Sequence, residues 1–153
     1  MKNIFFLIAL FIATSITAQS SFGTFYKANN EYSDLSIGLN TSMVSHFLSD
    51  DDEEVKELVK KAKHAKIMIF SDYSEKTSSN FKKFIKRSNF DELVKIKDED
   101  ANIQLYSKED NQIIKEIVVS LFTDGELILI GLKTNMTHEE LAKIFKDNDI
   151  AFN

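Results

Sequence analysis

IIKEIVVSLFTDGELILIGL, residues 113–132, holds two apolar runs on either side of Asp124-Gly125. A two-residue type I′ turn needs φ > 0 at both central positions, and Asp-Gly tolerates both. The spacing predicts an antiparallel hairpin with Thr123 opposite Glu126, Phe122 opposite Leu127 and Ser120 opposite Leu129. Side chains alternate between faces along a strand. Ile117, Val119, Leu121, Ile128 and Ile130 therefore share one face, the natural seat for helices. Val118, Phe122, Leu127 and Leu129 share the other and are also apolar. A contiguous exposed apolar patch is unusual on a soluble monomer, so those four need a cover. Two covers compete: the N-terminal segment with Phe22, Phe25 and Tyr26, or a partner chain, a second copy of this one included. Val118, Phe122, Leu127 and Leu129 are accordingly the candidate partner face.

Upstream, a period of two continues back to Asp91 through Leu105, Ile103, Ile96 and Val94, with breaks at residues 98–102 and 108–111. Strands with this alternation and these breaks pair as antiparallel neighbours. Phe81, Phe84 and Ile85 mark a helix whose wet side carries Lys82, Lys83, Lys86 and Arg87. Residues 66–70 (KIMIF) are apolar on both faces and read as a central strand. Val55, Leu58, Val59 and Ala62 follow the i, i+3, i+4, i+7 rule of an amphipathic helix over residues 52–65. Leu35, Ile37 and Leu39 alternate as a half-buried strand does. Phe22, Phe25 and Tyr26 mark a short helix, and Thr137 with Glu140 forms a capping box for a last one using Leu141, Ile144 and Phe145. The expected class is α+β. It comprises a single mixed, mainly antiparallel sheet with helices packed largely on one face, and one right-handed βαβ crossover near the N-terminus.

Residues 1–18 carry a different signal. Lys2 precedes the apolar run of residues 4–13 (IFFLIALFIA), and Ile16-Thr17-Ala18 supplies small residues before Gln19. A membrane-spanning helix needs about 20 apolar residues. A charged start, a short apolar core and a small-residue exit read as a cleavable signal peptide. Residues 19–153 then form one domain, with no Pro-rich or Gly-rich linker and no repeat dividing them. Export with no cysteine in 153 residues means a fold held by packing alone, without a lipid-bearing Cys. The expected location is the periplasm or the medium. A net charge of −5 argues against wrapping nucleic acid, which needs a basic stripe.

The chemical motifs are sparse. Ser79-Asn80-Phe81-Lys82 matches the S-x-x-K nucleophile motif of penicillin-binding proteins. The chain is short for that fold and lacks the companion K-T-G and S-D-N. The simpler expectation is a helix-capping Ser or Asn followed by a solvated Lys. His46, His64 and His138 fall on different elements without zinc-ligand spacing. The acidic run of residues 50–54 lacks the central Gly and alternating ligands of a calcium loop, and it suits a helix N-terminus. No catalytic residue, metal site or cofactor is expected.

The signal peptide, the early Phe-Tyr helix, the strand ending near Leu39, the helix-strand unit around Ala62 to Phe70, Phe90-Asp91-Glu92-Leu93-Val94 and the hairpin over residues 117–132 with its closing helix together resemble a known family. It is the exported bacterial domain-of-unknown-function family number 4252 (DUF 4252), typical of Bacteroidetes. The resemblance implies no site residues, because the family has no established activity. Many members look like lipoproteins, whereas this chain has no lipid-bearing Cys. The expected function is non-enzymatic, extracytoplasmic binding of a partner protein or cell surface. The alternative is a small periplasmic hydrolase or transferase.

Overall fold

A computed structural model describes residues 21–44, 61–72 and 74–146. The signal sequence, most of the helix expected over residues 52–65, the acidic run and His46 lie outside the described residues.

The elements in chain order are α1 (Phe22–Asn29) and a 3-10 turn (Asn30–Tyr32), then β1 (Leu35–Asn40) and the single turn α2 (Thr41–Val44). β2 (His64–Phe70), α3 (Ser74–Arg87), β3 (Asp91–Lys97) and β4 (Ala101–Asp110) follow. β5 (Ile113–Thr123), β6 (Glu126–Met136) and α4 (His138–Lys146) complete the chain. The strands form one six-stranded sheet in the order β1-β2-β6-β5-β4-β3.

The expected mixed sheet is corrected by the pairing, which is antiparallel at every step. Asn40 pairs with His64, so the chain re-enters the sheet at the same end from which it left. A parallel crossover would have carried it to the other end, and the βαβ unit is therefore absent. The expected helix also cannot reach residue 65. The Lys63 N–H donates to the Lys133 carbonyl, and β2 has begun by His64.

The expectation of helices largely on one face is corrected as well. α1 and α3 lie on the face of Met68, Phe70, Tyr106, Val118, Leu127 and Leu129, which their rings Phe22, Phe25 and Phe81 cover. α4 lies on the opposite face, where Leu141 packs with Val94, Leu105, Ile114, Ile117 and Met136. We call these the aromatic and aliphatic faces. In the pairing of β5 with β4, Lys108 faces Glu116 and Glu109 faces Ile114, and this bulge explains how one strand serves both. The extra residue, Lys115, reverses the alternation, so Glu116 keeps the parity of Val118 while Ile114 joins Ile117 opposite.

Local signals account for most boundaries. Asp124 and Gly125 have φ of 49° and 80°, and Thr123↔Glu126, Phe122↔Leu127 and Ser120↔Leu129 pair as the turn dictates. The Thr137 N–H donates to Glu140 Oε2 at 2.9 Å, and the Glu140 N–H donates to Thr137 Oγ1 at 3.3 Å, which completes the capping box. α3 ends in a Schellman turn. Asn89 takes φ 56°, the Phe90 N–H reaches the Ile85 carbonyl, and the Phe90 ring meets Phe84 at 5.7 Å between centroids.

Candidate functional site

Val118, Leu127 and Leu129 are each 0% exposed, and Phe122 is half-buried at the margin of the same cluster. The seat of α1 above them has three fixed points. Phe22 occupies the space over Gly131, where a Cβ would overlap its ring. Glu116, from β5, accepts the Phe22 backbone N–H at 2.9 Å, which satisfies one of the orphan donors at a helix N-terminus and places negative charge at its positive end. The Lys66 ammonium lies 4.5 Å from the centroid of the Tyr26 ring. Val118, Leu127 and Leu129 are thus covered by α1 together with α3, while Phe122 stays half-buried beside α3.

Two buried charges support this layer. Lys108 pairs with Glu116 across β4 and β5, and its ammonium lies 5.4 Å from the Phe90 ring centroid. Burial pushes the Lys108 ammonium below the usual lysine value, and Glu116 opposes that shift. On the neighbouring row, the Tyr106 phenol is pushed up to about 12 by burial and then by the Glu92 carboxylate. Its ring meets Phe81 edge-on at 5.8 Å.

At the edge of the aromatic layer, α3 and the sheet diverge to leave a groove of about 330 Å³. Glu75, Ser78, Ser79 and Lys82 line its helical wall. They are spaced i, i+3, i+4, i+7 and form one stripe, beside the buried stripe of Ser74, Thr77, Phe81 and Ile85. The floor comes from β4 and β5, where Asn102 lies opposite Phe122 and Gln104 opposite Ser120. Gln104 Nε2 donates to Glu92 Oε2 at 2.9 Å. Asn102 Oδ1 is buried and accepts no hydrogen bond, a condition that costs about 1–3 kcal/mol.

The groove offers an ammonium, a carboxylate, two amides, three hydroxyls and one ring, a set suited to a ligand dense in donors and acceptors. Ser79 and Lys82 of the S-x-x-K sequence share it, but both are exposed, so water is not excluded as nucleophilic catalysis would want. The basic helix face is divided. Lys82 lines this groove, whereas Lys83 and Arg87 line a second one, of about 380 Å³, between α3 and α1.

The histidines are not brought together. His64 is exposed at the start of β2, not within the helix expected over residues 52–65, and His138 Nε2 lies 2.7 Å from Glu109 Oε1. Among the described residues, no three His, Asp or Glu side chains are grouped as metal ligands. Asn102, Gln104 and Ser120 were not singled out in the sequence. Their only signal is polarity at alternate positions of otherwise apolar strands, on rows that share a face only once the register is known.

No helix among the described residues is long and apolar enough to cross a membrane. No curated protein and no solved structure matches the chain. A family model does match, over residues 26–144, from the last turn of α1 through most of α4. The chain belongs to the family described as Domain of unknown function (DUF4252).

Proposed function

We propose that the chain is a non-enzymatic, extracytoplasmic binding protein that holds polar groups of a partner protein or cell surface in the groove between α3 and β4–β5. The observation that carries this is the buried Asn102 Oδ1 without a donor, within a groove otherwise lined by hydrogen-bonding side chains. A ligand N–H or O–H that draws the Asn102 amide round into the groove would relieve that cost, so binding gains from a defect already present. The signal-like residues 1–18 support an extracytoplasmic location. Intact mass of the exported protein should correspond to a chain starting at Gln19.

The test is a photo-crosslinking residue at Ser78, in the native compartment, with the same group at Thr24 as a control. The expected result is one discrete adduct from Ser78, absent from Thr24 and lost with Lys82→Glu. Identical patterns from both positions would contradict the proposal.

The shared placement of Ser79 and Lys82 favours the hydrolase reading as the second. An ester-forming serine probe decides between them. Binding predicts no covalent mass on Ser79, whereas a stoichiometric adduct lost with Lys82→Ala supports the enzyme.

A further inference from the structure

The two edges of the sheet are built in opposite ways. β3 carries Asp91, Glu92, Lys95 and Lys97 and a register shift between Glu92 and Val94. Charge and a bulge are the usual protections of an edge strand against pairing with another chain. β1 reads LSIGLN and has neither. None of its residues is charged, none is Pro, and its register runs unbroken from Leu35↔Ile69 to Asn40↔His64. Among the described residues β2 is its only strand neighbour. Alternate residues of such a strand turn their N–H and C=O groups outward, a template for strand addition.

We propose that β1 docks a second copy of this chain, antiparallel strand to strand, about a two-fold axis through Ile37. The partner follows from parity and charge. A two-fold axis perpendicular to the sheet keeps each face on its own side, so opposed residues must share a face. Centring on Ile37 sets Ile37 against the partner's Ile37 and Leu35 against the partner's Leu39, so that all three aliphatic side chains of β1 meet aliphatic ones. Leu35 is already 42% exposed. Centring on Gly38 instead would strand Leu35 opposite Thr41, outside β1. Continuing the chosen register sets Asp34 against the partner's Asn40, a carboxylate facing an amide and no like charge. Pairing β1 with β3 of another copy would be head-to-tail and open-ended, and the charges of β3 oppose it.

Sedimentation velocity across micromolar to sub-millimolar concentrations tests this on the purified chain. The expected result is a reversible dimer. Ile37→Lys brings two ammoniums together on the axis and should raise the dimer Kd by about tenfold or more, while the monomer keeps its circular dichroism spectrum. Leu35→Lys and Leu39→Glu each weaken the dimer alone. The double variant sets opposite charges across the axis in both copies and restores it, a rescue that only this register provides. A monomer at every concentration overturns the proposal, as does a dimer indifferent to the charge swap. A monomer that instead captures an added extended peptide along β1 overturns the second-copy assignment.

Discussion

Strands β5 and β6 contribute equally apolar rows to the two sides of one sheet, yet the two sides are closed very differently. On the aromatic face α1 and α3 cover Val118, Leu127 and Leu129 completely. On the aliphatic face Leu141 of α4 closes the end around Ile114, Ile117 and Met136. Farther out, Ile67, Ile69, Ile128 and Ile130 are half-buried, and Leu35 and Ile96 are 42% and 41% exposed. Hydrophobicity does not separate these faces. The aromatic side has Gly131, an open position that admits the Phe22 ring, and Glu116, which caps the incoming helix. A missing Cβ and one carboxylate select the face on which the N-terminus settles.

That contrast makes the aromatic face the costly one to disturb. Removing residues 19–30 takes out Phe22 and Phe25, each worth about 3–5 kcal/mol when buried. The loss should rival the whole stability of a domain, about 5–15 kcal/mol, and a thermal melt should show collapse of the cooperative transition. Unchanged melting would return Val118, Phe122, Leu127 and Leu129 to a partner.

Gly131→Ala comes next. The added methyl meets the Phe22 ring, and overpacking of this kind costs about 1–3 kcal/mol. In a double-mutant cycle most of that cost should vanish once Phe22→Ala has removed the ring. Additive losses would mean that Phe22 does not sit there.

The third effect is alkaline. The Tyr106 phenol is raised from 10.0 to about 12, so the fold favours its protonated form. Stability from this group is fully present below pH 10 and is lost as pH rises from 10 through 12. The loss amounts to about 2–3 kcal/mol at most. Urea melts at pH 9 and pH 11.5 should show it, and Tyr106→Phe should show a correspondingly smaller fall. Equal falls in both proteins would place Tyr106 in water.

On the aliphatic face, Ile96→Ser should change stability by only about 0.5 kcal/mol, as surface substitutions do. A chelator should leave the melting temperature unchanged. A drop reversed by one cation would reveal ligands outside the groups described above.

Elements with local causes were legible in the sequence. The Asp124-Gly125 turn dictated the register of β5 with β6, and Thr137 with Glu140 announced α4. The direction of β2 was not legible. KIMIF at residues 66–70 specifies a strand buried on both faces but says nothing of where residues 41–63 bring the chain back. The break between β4 and β5 was read at residues 108–111, but the turn itself falls on Asn111-Gln112, with φ of 51° and 64°, and the Gln gives no turn signal. The bulge at Lys115 is equally silent, and it assigns Ile114 and Glu116 to opposite faces. The groove depends on all of these. Ser79 and Lys82 were visible as neighbours on a helix, but Asn102, Gln104 and Ser120 meet them only through the strand order.

The central claim is that α1 is a layer of the core and not a detachable strap. Native-state amide hydrogen exchange tests it most directly, because a core layer opens only with the global transition. The amides of Tyr26 and Lys27 should exchange with the same opening free energy and denaturant dependence as those of Val118 and Leu129. Exchange of the α1 amides through a low-energy local opening, while β5 and β6 stay protected, would contradict it.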